Sequence, residues 1–151
     1  MIERVHKYLG FFLVALLALM TIDVLLGVFT RYVLGSQLSW TEELARFLLI
    51  WIGMLGTAYA SGERMHLSID LLGPSLNATQ QRWLQLAVTL AVILFAGAVL
   101  VVGGSRLLYI TAKLGQSSAA LRLPMTAVYS VVPVSGLLIV WYKLNQLEVW
   151  K

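Results

Sequence analysis

The sequence contains no cysteine. That excludes disulfides, thiolate metal sites and a cysteine nucleophile. It says nothing of redox compartment, because a chain held in a bilayer needs no disulfide staple. Charge is scarce as well. Only 12% of the 151 residues are charged, against roughly 25% in an ordinary soluble domain. Histidine occurs twice, at His6 and His66, and both lie outside the long apolar runs. Haem carried between membrane helices needs axial ligands inside the bundle, so that class is excluded. There is no H-x-x-x-H or H-E-x-x-H spacing, no glycine-rich phosphate loop and no assignable Ser-His-Asp set. No catalytic residue, metal or cofactor is therefore expected, and the chain is not expected to be an enzyme.

What is abundant is apolar surface. Hydrophobic residues make up 60% of the chain, more than a compact soluble domain of this size could cover. The net charge of +4 comes from Lys and Arg scattered singly, with no basic run. That pattern flanks membrane spans and argues against a nucleic-acid partner.

Four apolar runs follow one another. The first, Tyr8 to Thr30, has Asp23 as its only charge. Arg4 and Lys7 precede it as they would a signal peptide. However, it exceeds the roughly 7–15 residues of a signal core and no A-x-A site follows, so a retained span is expected. The second run starts at Ser39 to Glu42, which reads as a capping box. From Trp40 to Ala60 the helix is long enough to cross a core of about 30 Å. The third, Leu84 to Leu108, carries no charge before Arg106, and Gly97, Gly103 and Gly104 would let another helix approach. The fourth runs from Pro124 to Tyr142, with Pro133 expected to kink it.

Between the second and third runs, Glu63 to Trp83 is a polar connection. Gly73-Pro74 marks a turn with a helix start just beyond. Leu67, Ile69, Leu71 and Leu72 suggest a segment lying on the membrane surface. Asn77-Ala78-Thr79 matches a glycosylation sequon, a pattern short enough to arise by chance. The expected fold is thus an all-α membrane protein. It has four transmembrane helices, at about 8–30, 40–60, 84–108 and 124–142, with short interfacial helical segments in the connections. All of it forms one domain over 1–151.

Four spans place both termini on one side. Arg4, Lys7, Arg64, Arg82, Lys143 and Lys151 fall there. Arg31, Arg106, Lys113 and Arg122 fall on the other, with Arg46 assignable to neither. The excess of cations favours cytoplasmic termini.

Asp23 is the sharpest single signal, since a carboxylate inside a span normally faces a partner or a wet cavity. It reads as an ion or proton site, as a structural group bonded to Arg46 or a hydroxyl, or as a residue placed near the interface. Glu42, Glu43 and Arg46 make a charged first turn. Glu42 and Arg46 have the favourable i, i+4 spacing, and both acids suit a helix N-terminus. Gly53 and Gly56, with Ala60, read as helix-packing positions. Trp40, Trp83, Trp141 and Trp150, with Tyr8, Tyr32 and Tyr142, fall at run ends as an interfacial belt. Trp51 sits mid-run and is expected to pack or to face lipid.

Taken in order, Arg31-Tyr32-Val33-Leu34-Gly35, Trp40-Thr41-Glu42-Glu43-Leu44-Ala45-Arg46, Trp51, Gly53, Gly56, His66 and Asp70 form a recognisable series. With Ser118-Ala119-Ala120-Leu121-Arg122-Leu123-Pro124, Tyr129 and Pro133, the chain resembles the small membrane subunit of tripartite ATP-independent periplasmic (TRAP) transporters, the DctQ-type family. The resemblance covers Asp23 to Gly136.

The resemblance implies a three-part system. A periplasmic protein captures an organic acid, such as a dicarboxylate or sialic acid. A large membrane subunit holds the substrate and sodium sites and moves as an elevator. The small subunit has four membrane helices and cytoplasmic termini, and scaffolds the large one in the inner membrane. The implied partners are the large subunit, the periplasmic binding protein and membrane lipids. Arg31, Trp40, Glu42, Glu43, His66 and Asp70 carry over as packing or interface positions, and no substrate or sodium ligand carries over.

The rival reading is a self-sufficient, proton-coupled homodimer using Asp23. A membrane enzyme would have to draw on Glu42, Glu43, His66 and Asp70, but the four-span topology puts the first two near the opposite membrane face from the last two.

Overall fold

The computed structural model describes residues 2–36, 38–63 and 77–148. His66, Asp70, Gly73-Pro74 and the surface segment expected between 67 and 72 lie outside the described residues. Helix α1 spans Ile2–Val33 and α2 spans Ser39–Gly62. Helix α3, Ala78–Phe95, passes into a π-helical segment, Ala96–Gly103, and then into α4, Gly104–Lys113. Helices α5, Met125–Tyr129, and α6, Val131–Glu148, complete the chain. Four stretches are long and apolar enough to cross a membrane: Glu3–Val33, Ser39–Gly62, Thr79–Lys113 and Met125–Gln146. The described residues form no strand beyond one isolated bridge, Ser117 to Pro124. The protein is an all-α membrane protein.

Each helix boundary has a local cause. The capping box expected at Ser39 does not form. Ser39 is already helical, the N-cap is Leu38 and no side chain caps it. Instead the Thr41 hydroxyl, inside the first turn, donates back to the Leu38 carbonyl at 2.8 Å. The third long helix begins at Ala78, earlier than the apolar run, so residues 78–83 of the expected polar connection are helical. Asn77 is its N-cap, and the Gln80 side chain accepts the Asn77 N–H at 3.1 Å. The Asn77 of the chance sequon match thus serves as a helix cap, in a pattern that runs on to Gln80. Past α1 and α4 the chain turns on Gly35 and Gly115, both at positive φ, the left-handed position that closes a helix cheaply only with glycine.

The helices do not pack in chain order. The main contacts run from α1 to α2, from α2 to α6, and from α6 to the π segment and α3. The last helix therefore stands between the second and the third. Lipid tails are as apolar as leucine, so burial drives this packing weakly and close fit matters more. One cluster joins Leu9, Leu55, Val131 and Tyr142, and another joins Ala58, Ala96 and Ile139. Along α1 the buried positions Leu9, Asp23, Gly27 and Thr30 fall on one stripe, while Phe11, Ile22 and Phe29 are exposed. That is the surface expected of a helix at the edge of a bundle, facing lipid.

Glycine sets the contact between α6 and the third span. A methyl group on Gly136 would lie 2.7 Å from the Leu100 Cβ, in the π segment. One on Gly104 would lie 3.0 Å from the Pro133 Cδ. Of the three glycines expected to admit a neighbour, only Gly104 does so among the described residues. Gly97 has nothing within 4 Å, and Gly103 meets only the Ala98 carbonyl of its own helix. Pro133 cannot donate to the Tyr129 carbonyl, and the fourth span breaks there, with α5 ending at Tyr129 and α6 starting at Val131.

Candidate functional site

Glu43 lies in the second turn of α2, beside the loop joining α4 to α5. Its Oε1 accepts the Ala119 N–H at 3.0 Å, and its Oε2 accepts those of Ala120 and Leu121 at 2.8 and 2.7 Å. Ionised carboxylates make the stronger class of hydrogen bond, and three convergent N–H groups fill most of the acceptor sites facing them. The loop closes on itself as well. Ser118 N–H donates to the Leu123 carbonyl at 2.9 Å, and Leu123 N–H donates to the Ser118 Oγ at 3.1 Å. Met125 N–H reaches the Gln116 carbonyl at 2.9 Å. Arg122, at the tip, is exposed and sits at φ 53°. The resemblance placed Glu43 and the Ser118–Pro124 stretch in separate motifs, and the fold joins them.

A second tie lies nearby. The Trp51 indole Nε1–H donates to the Val128 carbonyl at 3.1 Å. Val128 is near the C-terminal end of α5, where carbonyls lack helical partners. Trp51 thus has a polar task beyond the packing or lipid contact expected of it.

The other end of the bundle holds a cluster that the sequence did not mark. His6 Nε2 meets Glu63 Oε1 at 2.8 Å. The imidazole stacks on Tyr59 with ring centres 4.0 Å apart and meets Tyr142 edge-on at 6.0 Å. A methyl group on Gly62 would lie 3.0 Å from both His6 Nδ1 and Tyr142 Cε1. Gln146 Nε2 donates to the Ser61 carbonyl at 3.1 Å. These contacts join the start of α1 to the ends of α2 and α6. No spacing in the sequence pairs residue 6 with residue 63, so only the antiparallel register of α1 and α2 could have signalled it.

The remaining expected residues are scattered. Asp23 is buried on the α1 stripe, and neither carboxylate oxygen has a hydrogen-bond partner among the described residues. The pairing with Arg46 does not form, and Arg46 is exposed. Glu42 is exposed too, and the described residues contain no ion pair between it and Arg46. Arg31 is exposed at the end of α1, and Trp40 is half-buried. A Cβ at Gly53 or Gly56 would have nothing within 4 Å, so neither glycine marks a close approach of another helix among the described residues. No group of three or more His, Asp or Glu side chains gathers into a metal site among the described residues.

Residues 20–148 of the chain match the family model for the DctQ component of tripartite ATP-independent periplasmic transporters. The chain belongs to that family. It is 31% identical over 102 residues to the C4-dicarboxylate TRAP transporter small permease protein DctQ of Rhodobacter capsulatus, covering 68% of this chain and 44% of that protein. It is 34% identical over 89 residues to the sialic acid TRAP transporter small permease protein SiaQ of Vibrio cholerae, covering 59% of this chain and 49% of that one. It is 30% identical over 99 residues to the sialic acid TRAP transporter permease protein SiaT of Haemophilus influenzae, covering 62% of this chain but 15% of that one. The chain thus spans about half the length, or less, of the curated relatives it matches. It is a multi-pass membrane component of a transporter family.

Proposed function

We propose that this DctQ-family chain is the scaffold subunit of a sodium-coupled TRAP transporter. It would stand beside a large elevator-type subunit in the cytoplasmic membrane, with both termini in the cytoplasm. The transporter would import an organic acid delivered by a periplasmic binding protein. The observation that carries this reading is the Glu43 latch. Among the described residues, the carboxylate that accepts the most hydrogen bonds holds backbone N–H groups of its own chain. The Trp51 indole and the His6–Glu63 pair likewise join helix to helix. The polar side chains thus serve rigidity, which a fixed frame for rigid-body alternating access requires. The C4-dicarboxylate and sialic acid in the names of the three relatives above support a carboxylate substrate. The 15% share of the longer permease relative supports a partner of larger size, there carried on one chain with the matching segment.

The test is purification of the tagged chain from its native membrane in mild detergent, with mass spectrometry of proteins that co-elute near one-to-one. A larger polytopic partner is expected. A homo-oligomer alone would reject the scaffold reading.

One observation favours a second reading. Asp23 is buried without a hydrogen-bond partner, as a coupling carboxylate in a self-sufficient homodimer would be. That reading requires transport by this chain alone in liposomes, abolished by Asp23→Asn with the oligomer intact. The scaffold reading requires no transport by this chain alone.

A further inference from the structure

The first turns of α1 carry two opposite faces, and one of them is clasped to the bundle. His6 Nε2 meets Glu63 Oε1 at 2.8 Å, and its ring stacks on Tyr59 with centres 4.0 Å apart. One turn further on, a methyl group on Gly10 would lie 3.1 Å from the Tyr59 ring. The other face is built from Arg4, Lys7, Tyr8 and Phe11. Their spacing of i, i+3, i+4 and i+7 puts them on one side of the helix, roughly opposite His6. All four are exposed, Tyr8 at 75% and Phe11 at 76%. Neither cation makes an ion pair among the described residues, and Glu3, also exposed, neutralises neither.

The order of these residues along the axis follows the layers of a bilayer. From Arg4 to Phe11 the helix rises about 10 Å. Over that rise the face passes from two cations, through an amphipathic tyrosine, to a ring suited to hydrocarbon. The same side continues as Ala15 and Ile22, both exposed. An edge helix with that surface has lipid as its neighbour. Its two cations stand at headgroup level, with stems that can reach a phosphate from either side. The clasp behind them fixes the backbone from which they project.

We propose that Arg4 and Lys7, with Tyr8 and Phe11 beneath them, form a site for the headgroup of one anionic phospholipid. Two unpaired cations one turn apart complement a phosphate diester. They favour a lipid that keeps its net negative charge over one that cancels it with its own amine. Tyr8 and Phe11 receive the glycerol and the upper part of an acyl chain. His6 and Glu63 hold the turn in place. The site needs no assumption about which way the chain faces; with cytoplasmic termini it opens on the cytoplasmic leaflet.

The experiment uses the chain together with its large subunit in nanodiscs of phosphatidylcholine with a minor share of phosphatidylglycerol. The chain has no cysteine, so with any cysteine of the large subunit replaced, Ala15→Cys carries a single fluorophore beside the site. Ile22→Cys carries one deeper on the same side, as the reference for bulk lipid. Quenching by phosphatidylglycerol with brominated acyl chains reads its local share at each label. The share at Ala15 should exceed that at Ile22 by about five-fold, the effect of one basic side chain at a membrane surface. Arg4→Gln combined with Lys7→Gln should abolish the excess, and Arg4→Lys combined with Lys7→Arg should keep it. Salt at about 1 M should weaken it. Both cations are exposed, so thermal stability should stay at the wild-type value in these variants. Equal shares at the two labels in the wild type overturn the proposal, as does an excess that survives the double glutamine variant. A label at Ala15 that brominated phosphatidylcholine also fails to quench overturns it too, because protein would then cover this side. Absence of a large subunit from the preparation would instead be failure of the scaffold reading, and the same comparison is then made on the chain alone.

Discussion

Trp51 and Val128 are joined across 77 positions of sequence by one hydrogen bond, from the indole Nε1–H to a backbone carbonyl at 3.1 Å. The contact fastens the middle of α2 to the end of α5, just before the chain breaks ahead of Pro133. Pro133 leaves the Tyr129 carbonyl without its helical donor, and the indole holds the carbonyl one residue earlier, tying α2 to the chain beside the break.

Trp51→Phe keeps most of the aromatic bulk and deletes the donor. Thermal unfolding of the purified protein in detergent should show a loss of about 1 kcal/mol, the upper part of the range for an interhelical hydrogen bond in a membrane protein. Trp51→Leu should cost more, because it adds a packing defect to the lost bond. Equal stability of wild type and Trp51→Phe would mean that the bond contributes nothing measurable.

Glu43→Gln should loosen the Ser118–Leu123 turn without unfolding the bundle. The amide keeps one carbonyl oxygen but replaces the other with a donor that faces N–H groups. Hydrogen exchange at Ala119, Ala120 and Leu121 should accelerate by about ten-fold, in line with local opening of one loop, while amides in α1 stay protected. Glu43→Asp should behave similarly, since its carboxylate falls one methylene short. Unchanged exchange in both variants would remove Glu43 from the role of latch.

The broad architecture was legible in the sequence because a bilayer imposes a length and a composition on every span. The four apolar runs therefore announced four long helices. Glu43 was legible as one acid of a charged first turn and as a member of a family-like series, but not as a latch. Its partners are backbone N–H groups, which no residue type advertises, and they lie about 76 positions away. The Glu42–Arg46 pair was a reasonable inference from spacing, yet both side chains are exposed. Exposed pairs of this kind contribute little and are easily given up. His6 was invisible for the opposite reason. Its meaning depends on register, which brings Glu63 and Tyr59 to it only after α1 and α2 have paired.

Gly136→Ala should be the more damaging of two alanine substitutions in the small residues of the third and fourth spans. The added methyl would lie 2.7 Å from the Leu100 Cβ, and 3.2 Å from the Leu100 backbone carbon. Backbone cannot step aside as a side-chain tip can, so a loss of about 1–3 kcal/mol is expected. Gly97→Ala, with nothing within 4 Å, should be neutral or slightly stabilising through helix propensity. Thermal shift assays on both variants check the difference, and equal effects would mean that α6 can slide along the π segment.

Gly53 and Gly56 support the final prediction because they are open. Nothing among the described residues lies within 4 Å of the Cβ position at either glycine, so a first added carbon is accommodated at both. Gly53→Leu and Gly56→Leu should therefore leave the isolated subunit folded, with unchanged thermal stability. If this face of α2 meets the large subunit, the same variants should lower co-purification and transport together, without altering substrate affinity in the transport that remains. A small residue on a membrane helix permits close approach of another backbone, and leucine would hold that backbone away. Paired measurements of subunit stability and complex yield separate the two explanations. Stable subunits with reduced yield place the interface on this face. Stable subunits with full yield and full transport place it elsewhere, leaving the two glycines to face lipid.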